Sequence, residues 1–344
     1  LRNIQQVHGV ILCPREKLGQ AFTFLPSGRR VCDVWKTIPS PPLCFNRFFF
    51  YLCLKVPIIM GNYFQIAWEY LIKATAATGV QLLILFGPLL LLAVLMHFIS
   101  SANEKMSIFV LGQNLYLYLF GWLGTSIHEL GHALFAVIFG HKIKEIQLFK
   151  PDPKSGTLGY VKHSYNEKNL YHQTGNFFIG IGPVLMCTLM LILLSLLLFG
   201  INFFNFSDIR ITAGTMKSVS LLKAEVLKFP DVIGSFLNVV FHGESSSWWK
   251  IALLIYCLYS IGSSITLSPA DLKTSGKGLL IISILFFAFN LSTIWMGNFA
   301  TIWLTKASYV FSGFYSIMVL SLVVNLVFVA FFGFLRLGIH LFKN

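Results

Sequence analysis

Residues 122–140 read WLGTSIHELGHALFAVIFG. The stretch is apolar enough for a membrane helix, yet His128, Glu129 and His132 fall within five positions of it. Helical residues four apart share a face, so the two imidazoles can bind one Zn2+ with Glu129 close by. Zinc draws the pKa of a bound water towards neutrality, and the Glu takes its proton as it attacks a peptide carbonyl. A structural zinc would need no Glu between its ligands. Ionisable side chains within a membrane helix are costly and mark function by default. Gly121, Gly124 and Gly131 would let neighbouring helices approach closely.

The surrounding composition agrees with a membrane setting. The chain has 344 residues, 56% hydrophobic and 11% charged, with a mean hydropathy of +0.74. Ordinary soluble domains hold roughly 45–50% and 25%. A soluble globular protein, a disordered chain and a coiled coil are excluded. The net charge of +13 is not a nucleic-acid signal, because Lys and Arg of membrane proteins collect in cytoplasmic loops and set orientation.

Hydropathy predicts an all-α polytopic membrane protein with about six transmembrane helices and a small β-hairpin after the zinc-binding helix. A short surface helix is expected at 61–76, then spans at about 79–99, 107–140, 176–200, 248–267, 279–296 and 308–335. Alternation at 142–148 and 157–162, around Pro151, Asp152, Pro153, Ser155 and Gly156, predicts the hairpin. In the second long connection, 202–247, Val219 to Leu227 reads as an amphipathic helix, with Pro230 and Gly234 as breakers. Six spans put eleven Lys and Arg inside and seven outside, which favours both ends of the 60–344 region in the cytoplasm.

Residues 1–59 differ from the rest. They hold eight basic residues, four of six Cys and six of twelve Pro, and no Met. They are expected to be a non-native or disordered N-terminal tail, the native chain starting at Met60, or else a genuine tail. Residues 60–344 are the expected membrane metalloprotease domain, with its core at 107–278.

Catalytic zinc sites commonly have three protein ligands and one open position. Among the five Asp, only Asp271 sits at the end of a predicted span, after Ser268-Pro269. It is the candidate third ligand; the alternative is an Asp that caps the next helix. Gly180-Ile181-Gly182-Pro183 interrupts the third span, and such residues are often only packing devices. His172 and Asn176 are weaker candidates for polarising a carbonyl. Cys187 and Cys257 read as packing residues. Asn205-Phe206-Ser207 and Asn290-Leu291-Ser292 fit the glycosylation pattern.

In their order along the chain, the His-Glu-His motif, the Gly182-Pro183 pair and the distal Asp271 resemble the site-2 protease family of intramembrane metalloproteases. The resemblance covers about 107–278. It implies Zn2+ as cofactor, His128, His132 and Asp271 as ligands, Glu129 as catalytic base, and a membrane protein substrate cut within the bilayer. Two positions depart from the family pattern: Met186 stands where an Asn is frequent, and Leu272 where Gly often follows the Asp. The PDZ domain of many bacterial members has no room here. The expected setting is a bacterial plasma membrane, with the site open to the cytoplasm.

Two other readings stay open. Prenyl-protein peptidases take a Glu as third ligand, but Glu145, Glu167, Glu225 and Glu244 all lie outside the predicted spans. A non-catalytic membrane scaffold or transporter could keep a metal site, though it would not require Glu129.

Overall fold

The computed structural model describes residues 45–152, 158–203, 219–293, 296 and 299–343. The chain divides into two compact units, Leu1–Trp68 and Glu69–Asn344. Helix α1, Phe45–Leu111, runs through that boundary without a break. The predicted surface helix at 61–76 and span at 79–99 are therefore one helix. The Thr75 and Thr78 hydroxyls donate to the carbonyls of Leu71 and Ala74 at 2.8 Å, so these side chains are satisfied within the helix. Most of residues 1–59, and Asn205, lie outside the described residues.

Gly112, at φ 83°, separates α1 from a single turn, α2 (Gln113–Tyr116), and a π-turn at Leu117–Gly121. The π-turn carbonyls of Leu119 and Phe120 accept from the hydroxyls of Tyr256 and Ser260. Helix α3, Trp122–Ile138, carries the His-Glu-His motif. It ends at Gly140, whose φ of 71° only glycine adopts without strain. His141 N–H then reaches back to the Ala136 carbonyl at 2.8 Å, closing the helix end and aiming the chain into the hairpin.

Strands β1 (Lys142–Gln147) and β2 (Tyr160–Ser164) pair antiparallel, with a bulge between Ile143 and Glu145. Glu145 faces Lys162 at 2.9 Å and accepts from the Tyr160 hydroxyl. These two partners, Tyr160 first, hold the Glu145 carboxyl below its ordinary range. Helix α4 follows at Leu170–Phe199, capped by the Asn169 side chain and unbroken at Pro183. Short helices α5 (Val219–Val226) and α6 (Phe229–His242) come next. The first matches the predicted amphipathic helix. The expected breakers do not break the second: Pro230 sits in its first turn, where a missing N–H costs nothing, and Gly234 lies within it.

Helix α7 spans Trp248–Ser260, a 3-10 turn Gly262–Ser264, α8 Pro269–Thr293 and α9 Phe299–Lys343. The contacts of 256–271 with α3 and the turn before it advance in one direction. Tyr256 meets Leu119, Ser260 meets Phe120, Ser264 meets His128 and Asp271 meets His132. Helix α8 then descends along α4, with Ser275 against Gly180 and Gly278 against Phe177. So α7 and α8 run in one direction past α3 and α4, with a break at 261–268 beside the site.

Among the described residues, four helices are long and apolar enough by themselves to cross a membrane: Phe64–Leu111 within α1, then α4, α8, and Val310–Leu341 within α9. Six spans are not confirmed among the described residues. Arg336, near the end of α9, packs on Met106 and Phe109 near the end of α1, which puts it opposite the hairpin. With the α7–α8 pair as one crossing, Lys306 joins the hairpin face and Arg336 and Lys343 leave it. The eleven-to-seven division no longer holds, and the overall count of basic residues does not set the orientation.

The main core gathers Leu89, Ala93 and Met96 of α1 with Val184, Cys187 and Leu191 of α4, Leu254 and Leu258 of α7, and Tyr315 and Met318 of α9. Both Cys named as packing residues lie in it. Polar pairs pin helices inside the apolar layer. Gln81 and Asn290 exchange amide bonds of 2.9 and 2.8 Å, and Asn290 also donates to Thr78. Each such interhelical bond is worth about 0.6–1.7 kcal/mol. Asn290 is thus a buried packing residue, closed to glycosylation. Leu197 and Phe334, each about three-quarters exposed, point outward as lipid-facing side chains do.

Candidate metal centre

Three side chains converge at the break between α7 and α8. His132 Nε2 lies 3.2 Å from Asp271 Oδ1, and His128 Nε2 lies 3.9 Å from Asp271 Oδ2. One ligand atom from each of the three falls within 4.8 Å of the others, a spacing that a single metal ion can bridge.

Each imidazole is oriented from behind. His128 Nδ1 donates to the Ser264 carbonyl at 3.0 Å, and His132 Nδ1 donates to the Ile179 carbonyl at 2.8 Å. With both Nδ1 positions engaged, the lone pairs on Nε2 face the centre, as a ligand pair requires. Both carbonyls are available for a local reason. Ser264 closes the 3-10 turn in the broken crossing. Ile179 stands four residues before Pro183, which has no N–H to return to it. The proline read from sequence as a packing device frees the acceptor that holds His132.

Asp271 stands beside both His and also serves the start of α8. Ser268 N–H donates to Asp271 Oδ2 at 2.8 Å, and Asp271 N–H donates to Ser268 Oγ at 3.1 Å, a reciprocal cap on α8. Oδ1 remains for His132.

Glycines let three backbones meet here. A Cβ on Gly131 would lie 2.7 Å from the Gly182 carbonyl oxygen, and one on Gly180 would lie 2.7 Å from that of Asp271. Gly124 likewise abuts Ser260, whereas Gly121 touches only Leu117 of its own turn. A Cβ on Gly159 would meet Glu129 Cγ at 2.8 Å, so this residue lets the start of β2 lie directly over the Glu129 side chain.

Glu129 is buried, stands outside the ligand cluster and lines a cavity of about 620 Å3 shared with all three ligands. The hairpin side of the cavity is formed by Leu158, Gly159, Tyr160, Val161 and His163. Its other end reaches Ser100, Glu104 and Tyr116, so it extends past the centre in both directions along α3.

His172 and Asn176 are not brought to this cavity wall. His172 accepts from the Asn166 N–H, and Asn176 is buried within α4 with its side-chain oxygen unpaired. His163, which no motif in the sequence singles out, does line the cavity; only its hairpin pairing brings it there. Burial and the neighbouring His141 push the His163 imidazole down to about 4.

Residues 105–158 match a family model described as Peptidase M50B-like. No curated protein and no solved structure gives a match. Apolar helices and family match point to one class, a membrane metalloprotease. The match supports membership of the site-2 protease family, which the order of motifs implied.

Proposed function

We propose that the protein is an intramembrane zinc endopeptidase, cutting a peptide bond in or near the transmembrane segment of a membrane protein. The observation that carries this reading is Glu129, a carboxylate on the cavity wall beside three convergent ligands yet not one of them. His128, His132 and Asp271 would hold the zinc; their donor set, two imidazoles and a carboxylate, is that of a catalytic site with one place left open. A Zn2+ bound there supplies Lewis acidity, polarising a carbonyl and acidifying a water. Glu129 takes that water's proton and returns it to the departing amine.

The free edge of β2 offers the substrate a partner. A helical segment must unwind before its peptide bond is exposed, and an extended segment can pair with an edge strand through main-chain bonds. Gly159 lets that edge come close to Glu129. We place the hairpin face in the cytoplasm, since Lys142, Lys144, Lys150, Lys154, Lys162 and Lys168 crowd one short connection. The prenyl-peptidase reading loses ground because the carboxylate nearest both His is an Asp.

The test is Glu129→Gln in protein loaded with zinc. The amide is nearly the same size but cannot accept the proton. Retained zinc with cleavage lost supports the reading; a variant that still cleaves removes Glu129 as the base.

A further inference from the structure

His141, His163 and His172 form a second group of imidazoles, at the hairpin end of the cavity and separate from the metal cluster. His141 is buried, follows Gly140 and stacks on Tyr165. Its Nε2 lies 2.9 Å from the His172 carbonyl oxygen, and its Nδ1 lies 3.0 Å from His163 Nδ1. A carbonyl oxygen only accepts, so His141 Nε2 carries a proton. Burial lowers the pKa of His141 and neither ring pairs with a carboxylate among the described residues, so His141 is neutral and its Nδ1 holds a lone pair. The proton between the two rings must then sit on His163 Nδ1. A neutral His163 with that proton has its lone pair on Nε2, the nitrogen with no partner among the described residues, on a ring that lines the cavity. The Nδ1–H form is the minor tautomer of a free imidazole side chain, and the bond made by the first nitrogen decides what the second can do.

We propose that His163 is a specificity-determining residue, its Nε2 held as a hydrogen-bond acceptor for a donor side chain on the substrate, and that His141 is the positioning residue that fixes its tautomer. This rests on the endopeptidase reading. His163 lies in β2, four residues after Gly159, which immediately precedes the strand and abuts Glu129. Side chains directly opposite on paired strands touch. A segment paired with β2 therefore presents to His163 the side chain about four residues from the bond at Glu129. Ser, Thr, Asn or Gln there has a donor for Nε2; Val or Ala has none.

The test has two arms. The first needs no substrate: two-bond nitrogen–proton couplings of 15N-His protein in micelles at neutral pH, with the His163 signals assigned by His163→Asn. The expected result is a proton on Nδ1 of His163, lost to the common Nε2–H form in His141→Phe. A proton on Nε2 in the wild type overturns the proposal. The second arm uses a synthetic single-span peptide carrying a segment that the wild type cleaves, with Thr or Val three, four or five residues from the cut. One hydrogen bond predicts about a fivefold preference for Thr at one of these positions, expressed in KM. His163→Phe should lose the preference and His163→Gln, which keeps an acceptor, should retain it. Equal handling of Thr and Val would mean that Nε2 serves an ordered water only, and overturns the proposal. A wild type that cleaves no membrane segment counts against the endopeptidase reading, while the first arm still decides the tautomer.

Discussion

Pro183 shows how one missing N–H can shape a metal site. In an uninterrupted helix the Ile179 carbonyl would accept from residue 183; here it accepts from His132 at 2.8 Å. Pro183→Ala should restore the helical bond, make the helix compete with His132, and weaken zinc binding about 10–100-fold, the usual cost of losing a partner behind a ligand. A competitive zinc titration measures it, and an unchanged affinity would dismiss the competition. Asp271→Asn separates the two duties of that residue. Asn still caps a helix, so thermal stability should hardly move, whereas zinc affinity should fall; Asp231→Asn should change neither. The sequence named these residues because their chemistry is local: spacing within one helix, or an acid at a helix start. The use of Pro183 was not legible, because it depends on which side chain of another helix reaches the freed carbonyl. His163 was missed for the same reason, since strand pairing alone brings it to the cavity.

At the level of elements, hydropathy located the apolar runs but not their directions. Windows at 248–267 and 279–296 are each long enough to count, yet Tyr256, Ser260, Ser264 and Asp271 advance in one direction along α3 and the turn before it, as a single crossing would. A break at the candidate metal site is tolerated because its freed carbonyls find partners: that of Ser264 accepts from His128, and that of Ser263 accepts from the Ser100 hydroxyl. The merged crossing predicts that cysteines placed at Lys144 and Gly338 react with impermeant reagent from opposite faces. Labelling from the same face would restore the six-span count. The hairpin carries its own test. His163 is held down at about 4 and His141 is lowered too, both first by burial, so the unfolded chain takes up protons before the folded one does. Stability should therefore be full above about pH 6.5 and fall as pH drops towards about 4. The melting temperature of the wild type should drop between pH 7 and pH 5 by more than that of His163→Phe; parallel curves would show that the pair does not carry this dependence.

For the whole molecule, composition already pointed to a membrane, and the motif to a metal. The cavity could not be read from the sequence, because its wall draws on α1, α3, the hairpin, α4 and the α7–α8 break, up to 174 positions apart from Ser100 to Thr274. Its lining includes the hydroxyl side chains of Thr125, Ser263, Ser264, Thr266 and Thr274, polar groups inside an otherwise apolar fold. Catalysis by Glu129 within this cavity is the central claim, and new peptide termini measure it most directly. Membranes from cells making the wild type or Glu129→Gln would be compared by mass spectrometry, with zinc content measured in both purified proteins. The expected result is a set of termini within or beside transmembrane segments, present with the wild type and absent with a variant that still binds zinc. The same termini in both, or none in either while the wild type holds its zinc, would contradict the claim.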